Sequence, residues 1–467
     1  MFVRTGTFRK GEPRQFCNFL WIGDLGRVEP VEQGGERPSP RSVGFPGSPL
    51  GGCQGTRLAP TGSVAATHRV ARRYLRRMPG NSPPPALGAD LASLFPIDRS
   101  YTFLNHGSFG SCPFEVLAEQ DRIRREIEAR PIEMLGRRMD GLLASARASV
   151  ARFVGTAADR LGFVTNATEG VHALLRSIAW RAGDEVVCTD HVYRAVRQSL
   201  RRLEVEFGIV VHEVHVPLPV RGAGDFIEPI VSRFNDRTRL LLIDHITSPT
   251  AIVVPIHELG REARRRGIRV LVDGAHGPGS VPLSIDDIPC DAYTGNLHKW
   301  CCAPKGCGFI AASADFAAEL RPIATSHRYG EGLVREFDWQ GTRDMSPWLA
   351  APFALRFFER FGWDNVRRHN HELAAWAHRE LVARWNVAPL APLDGSMLAS
   401  MAPIPVPERA QAAFESEMAL QAHLYDRARI EIPVIAWHGR WHVRVSCHLH
   451  TSPSDVERLD EVMRGLG

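Results

Sequence analysis

The 467-residue chain is short of the features that would assign it to a membrane, a secreted scaffold or a nucleic-acid partner. No apolar run approaches the ~20 residues that a membrane-spanning helix needs, so no membrane is expected. Nine cysteines are an odd number with no repeating framework, which favours reduced thiols and a cytoplasmic location over disulfides. Net charge is only +5, from 57 basic and 52 acidic residues, with no separate basic tail, so no nucleic-acid partner is expected. Cys301, Cys302 and Cys307 lack a second pair at zinc-finger spacing, which argues against a metal. Ser108 stands in HGSFG rather than G-x-S-x-G, so a hydrolase nucleophile elbow is not supported. There are no internal repeats.

Acidic residues are missing from one stretch in particular. Residues 37–89 contain no Asp or Glu, and residues 1–85 as a whole are rich in Gly, Pro and Arg. A signal peptide needs an apolar stretch after its basic residues, but MPGNSPPP follows Arg72, Arg73, Arg76 and Arg77. A transit peptide is opposed by Glu12, Asp24, Glu29, Glu32 and Glu36. Residues 1–85 are therefore expected to be a disordered extension, or the result of a start assigned too early, with Met78 as the true first residue.

What is present has ordinary globular proportions, 44% hydrophobic and 23% charged, over a length suited to two or three domains. Residues 86–110 hold a short extended run, YTFLNHGSFG, ending in a Gly-rich turn. From 111 to 345 apolar strands alternate with helices: LGFVT, EVVCT, 209–216, LLLIDHI and RVLVD, then 292–295 and 308–311. Continuous apolar strands spaced by helices predict an α/β fold with a mostly parallel seven-stranded sheet covered on both faces. Residues 346–467 predict two long linking helices and a smaller α+β unit, whose last helix begins at Ser452 with Pro453 and Asp455 in its first turn.

Parallel sheets bind ligands at the carboxyl ends of their strands. Asn166, Asp273, His298 and Lys299 all fall there. A lysine forms an imine readily only when burial or nearby cations lower its pKa, and Lys299 sits among His298, Trp300, two cysteines and glycines. Asp273 ends an apolar strand, where a carboxylate is costly unless paired. A protonated pyridine nitrogen is a suitable partner, so lysine and acid at successive strand ends point to pyridoxal phosphate (PLP). His276 lies one turn later and could donate to the cofactor's phenolate oxygen. Residues 166–170, NATEG, join a strand to a helix, and the Thr168 hydroxyl with free N–H groups there suits a phosphate. In DHVY a flat ring stacks on the cofactor: His191 is the first choice and Tyr193 the alternative. Thr342 adds a further hydroxyl for the phosphate. Arg444, on a strand of the C-terminal unit, suits a substrate carboxylate.

Seven motifs in order, NHGSFG, TNATEG, DHVYRAV, VDGAHGPG, HK, GTRD and VRVS, resemble the class V aminotransferase family of fold-type I PLP enzymes, and within it proteins like isopenicillin-N epimerase. The resemblance runs from about residue 101 to the C-terminus. It implies that Lys299 bonds to the cofactor, that Asp273 pairs with the pyridine nitrogen, and that His276 touches the phenolate oxygen. It implies that His191 stacks on the ring and that Ala167, Thr168 and His298 hold the phosphate, with Thr342 reaching in from a second subunit of a homodimer. Asn105 would line the pocket and Arg444 would bind the carboxylate of an amino-acid substrate. Two departures stand out. Asn296 occupies a position where the wider family often has a small hydroxyl residue. Residues 428–443 contain no cysteine, where family desulfurases carry a nucleophilic one. The expected reaction starts with removal of the Cα proton by Lys299 and ends in epimerisation; C–S lysis or transamination would use the same residues. A non-catalytic PLP-binding regulator would need a DNA-binding segment, and residues 1–90 show no helix-turn-helix pattern.

Overall fold

The computed structural model describes residues 89–466. The expectations for residues 1–85 lie outside the described residues. The first strand, β1 (Thr102–Phe103), stands apart from the seven apolar runs that follow. Those seven form one sheet: β2 (Leu161–Val164), β3 (Glu185–Thr189), β4 (Val210–Val214), β5 (Thr238–Asp244), β6 (Arg269–Gly274), β7 (Ala292–Asn296) and β8 (Gly308–Ala312). Their spatial order is β2-β8-β7-β6-β5-β3-β4, and β8 alone runs against its neighbours. The fold is α/β with a mostly parallel seven-stranded sheet, as the alternation of strands and helices predicts.

The sheet is buried on both faces, and its residues alternate between two cores. Val187, Leu241, Ile243, Val270 and Val272 enter one apolar cluster, while Val186, Leu240, Leu242 and Leu271 enter another. This alternation is the period-two geometry of a strand. Burying one such side chain stabilises by roughly 1.5–3 kcal/mol, which fixes the register. The parallel direction then brings the ends of β2, β3, β5, β6 and β7 to one edge.

Two helices, Ser346–Glu359 and Trp363–Trp385, lead to the C-terminal strands β9 (Met401–Pro405), β10 (Ile430–Glu431), β11 (Val434–Trp437) and β12 (Arg440–Ser446). Strands β11, β12 and β9 form an antiparallel sheet. Strand β10 pairs in parallel with β1, so the segment entering the fold is held by the C-terminal unit. The last helix, Pro453–Arg464, starts as expected: the Asp455 carboxylate accepts the Ser452 N–H at 2.8 Å. No helix among the described residues is long and apolar enough to cross a membrane.

Local differences from expectation matter for the site. Residues 106–109 form a short helix, His106–Phe109, rather than a turn. The helix Ala167–Arg176 begins three residues before the expected 170. Asn166 caps it by accepting the Glu169 N–H at 3.0 Å, and Glu169 returns to the Thr165 N–H at 2.8 Å. The next helix starts at Arg194, so residues 191–193 lie in a loop.

Candidate active site

Lys299 follows β7 on a turn that bends sharply. Cys302, three residues on, has a left-handed backbone with φ 51°, uncommon for a residue with a side chain. Gly110 packs against the turn from the other side. Its φ is 71°, and a Cβ there would stand 2.1 Å from the His298 carbonyl oxygen, so only glycine fits.

The lysine amine is 3.0 Å from His276 Nε2. The indole N–H of Trp300 points to the other nitrogen, His276 Nδ1, at 3.3 Å. An indole nitrogen only donates, so Nδ1 accepts and Nε2 carries the ring proton. Nε2–H therefore donates to the lysine, which accepts through a lone pair and must be uncharged. Electrostatics agree: burial, together with the Arg444 cation, lowers Lys299 to about 7, and burial above all holds His276 well below the ordinary histidine range.

Asp273, at the end of β6, is buried and accepts the Ala275 N–H at 3.0 Å. Burial raises its pKa, while the Ala275 N–H and Lys299 oppose the rise. Asp244, at the same level on β5, is a second buried carboxylate that the sequence reasoning did not single out. The signal was available, since LLLID ends on an acid just as RVLVD does.

Three histidines form a layer behind the lysine turn. His106 Nε2 donates to the Lys299 carbonyl at 3.1 Å, His450 Nε2 donates to His106 Nδ1 at 3.0 Å, and His448 Nε2 donates to the Trp300 carbonyl at 3.2 Å. These residues hold the backbone that carries Lys299 and were not anticipated, because they lie far apart in the chain.

Among the residues expected to hold a phosphate, Thr168 is exposed in the first turn of the helix Ala167–Arg176. The Ala167 N–H, expected on a phosphate, instead donates to Asn296 Oδ1 at 2.8 Å. That bond accounts for the larger Asn296 side chain. His298 is buried, and its Nδ1–H donates to the Cys307 carbonyl at 3.0 Å. Nε2 then offers a lone pair, and burial lowers this histidine to about 4. It becomes a phosphate donor only by taking up a proton.

His191 has no exposed surface, and both its nitrogens are engaged, Nδ1 with the Thr250 hydroxyl at 2.6 Å and Nε2 with the Val216 carbonyl at 2.9 Å. A ring with no accessible face offers nothing for stacking. Tyr193 is 45% exposed and close enough to Arg444 to act on its charge.

Arg444 and Asn105 belong to one network. Arg444 Nη2 donates to the Ser108 hydroxyl at 3.1 Å, Ser108 donates to Asn105 Oδ1 at 2.5 Å, and Asn105 Nδ2 donates to Glu431 at 2.8 Å. Arg444 Nη1 donates to the Ser248 carbonyl. Its Nε is buried without a partner, an N–H available to an incoming anion. Thr342 takes no part in these contacts and is exposed on the segment before Ser346.

A family model for aminotransferase class-V matches residues 113–459. The chain belongs to the class V aminotransferase family. Among its relatives, isopenicillin N epimerase of Amycolatopsis lactamdurans is 34% identical over 388 residues, covering 79% of this chain and 96% of that protein. A probable chloroplastic L-cysteine desulfhydrase of Arabidopsis thaliana is 32% identical over 398 residues, covering 79% and 83%. Among solved structures, the cystine C-S lyase C-DES in complex with cysteine persulfide aligns with a TM-score of 0.67 at 22% identity, covering 79% of this chain and 98% of that one. That likeness establishes the fold.

As a family member the chain is a PLP-dependent enzyme, and its residues fit the cofactor. The uncharged Lys299 amine meets the need for a nucleophile. Asp273 is a buried carboxylate of the kind that a protonated ring nitrogen would satisfy, and Arg444 Nε is a buried N–H without a partner.

Proposed function

We propose that this enzyme removes the Cα proton of an amino acid through Lys299 and acts as an epimerase. The observation that carries the proposal is the 3.0 Å contact between His276 Nε2 and an uncharged Lys299 amine. A lysine held near pH 7 serves first as nucleophile and then as general base. Arg444 binds the substrate carboxylate through its free Nε–H, and Asn105 and Ser108 keep the guanidinium in place. Asp273 holds the proton of the ring nitrogen. When bound, PLP supplies the electron sink that makes a Cα proton acidic. Thr168 and a protonated His298 would hold its phosphate, and Tyr193 would cover its ring. Epimerisation also requires a proton returned on the other face of Cα, and the hydroxyl of the exposed Tyr193, which acts electrostatically on Arg444, is the candidate donor. The epimerase relative supports this reading.

A second reading, C–S lysis by loss of a β-sulfur substituent, is supported by the desulfhydrase relative. It needs no protein thiol, which suits a chain whose seven described cysteines are all buried. Incubation with amino acids in deuterated water separates the two. Product of inverted configuration carrying Cα deuterium supports epimerisation; pyruvate and a sulfur product support lysis and overturn the first reading. We propose in addition a cytoplasmic homodimer in which the exposed Thr342 completes the phosphate site of the other subunit. Free cysteines fit a reducing compartment.

A further inference from the structure

Among residues with no assigned role at Lys299, three potential metal ligands converge where the large sheet meets the C-terminal hairpin. Asp190 follows β3, His215 follows the adjacent strand β4, and His438 is in the turn joining β11 and β12. Both imidazoles address one atom. His215 Nδ1 lies 2.7 Å and His438 Nε2 3.2 Å from Asp190 Oδ2, and all three ligand atoms lie within 4.8 Å of one another. The other oxygen, Oδ1, is fixed by the Val216 N–H at 3.1 Å, so the carboxylate is oriented before any ligand arrives.

The backbone at His438 sets this apart from a surface ion pair. His438 and Gly439 form a two-residue hairpin loop, with φ 45° and 80°. Such turns favour Asn-Gly or Asp-Gly, because both positions are left-handed. A histidine there is an uncommon choice, and strained residues of this kind cluster at ligand sites. His215 and His438 are 61% and 59% exposed and line a cavity of about 1500 Å³. Further coordination positions are therefore open to water or to an oxygen-bearing ligand.

We propose that Asp190, His215 and His438 form a site for a divalent transition cation such as Zn2+, Co2+ or Ni2+. Two imidazoles and one carboxylate suit these borderline ions better than Mg2+ or Ca2+, which favour oxygen. Adjacent ligands on metal bonds of about 2.1 Å stand roughly 3.0–3.4 Å apart, so small rotations of the two rings from 2.7 and 3.2 Å admit the ion. The metal replaces the two hydrogen bonds and ties the β11–β12 hairpin to the loop that begins at Asp190.

The test is titration of the PLP-loaded enzyme, without a polyhistidine tag, with Co2+ followed by visible absorbance and by isothermal calorimetry. Wild type should bind one equivalent per chain, displaced by Zn2+. His215→Ala and His438→Ala should each weaken that binding at least tenfold while metal-free activity stays unchanged. The thermal midpoint should rise on adding Zn2+ in wild type only. No binding to wild type, or equal binding to wild type and both variants, overturns the proposal.

Discussion

Asp244 and Asp273 end neighbouring parallel strands in register, with only 3% and 4% of their surfaces exposed. Two buried carboxylates side by side cannot both stay ionised cheaply. Asp273 accepts the Ala275 N–H, which favours its anion. Asp244 Oδ2 has no hydrogen-bond partner, and burial beside Asp273 pushes Asp244 well above the usual carboxylate range. The shared proton therefore belongs on Asp244, which leaves Asp273 charged for the ring nitrogen. An amide resembles a neutral acid, so Asp244→Asn should keep its thermal midpoint and retain kcat/KM to within about threefold. Asp273→Asn should lose about 100-fold or more. The reverse order of effects would place the charge on Asp244.

Lys299 gives a pH prediction of definite sign. Its pKa is depressed to about 7, so the reactive free amine accumulates as pH rises through 7 rather than near the ordinary lysine value of about 10.4. The rate at which apoenzyme recombines with PLP, followed by absorbance, should climb between about pH 6 and 7.5 and level off above that. A rate still rising at about pH 9 would mean that the amine is not depressed. In His276→Ala the amine loses its hydrogen bond, and recombination should slow about tenfold.

Arg444→Lys keeps the charge and loses the fork of donors. With Ser108 and Ser248 fixing one end of the guanidinium, the variant should raise KM about 30-fold and change kcat much less. Steady-state kinetics decide this. An equal loss in kcat with KM unchanged would remove Arg444 from substrate binding.

The described cysteines are buried, and burial raises Cys302 and Cys307 well above the usual thiol range and Cys112 to about 12. Thiolates are therefore scarce at neutral pH. Iodoacetamide should leave the native enzyme active for hours, and no protein persulfide should form during turnover. Rapid inactivation with a labelled site cysteine would restore thiol chemistry.

Much of the sheet was legible because its strands are apolar runs with little ambiguity, as in LLLID and RVLVD. Lys299, Asp273 and His276 were legible for the same reason: polar residues at the ends of apolar strands must have partners. The helix start at Ala167 was misplaced because the Asn166–Glu169 cap competes with Gly170 as a boundary signal. His191 ranked ahead of Tyr193 as the stacking ring in the sequence, where burial is not legible; in the fold His191 is fully buried and Tyr193 is exposed. The layer of His106, His448 and His450 was invisible because it joins residues more than 300 positions apart, and only the fold brings them together.

The central claim is that Lys299 is the residue bonded to PLP. Borohydride reduction of the purified holoenzyme, followed by peptide mass spectrometry, tests it directly. The expected result is a pyridoxyl group on Lys299 alone, with Lys299→Ala colourless after dialysis and unlabelled. Label on another lysine, or an unlabelled wild type, would contradict the account.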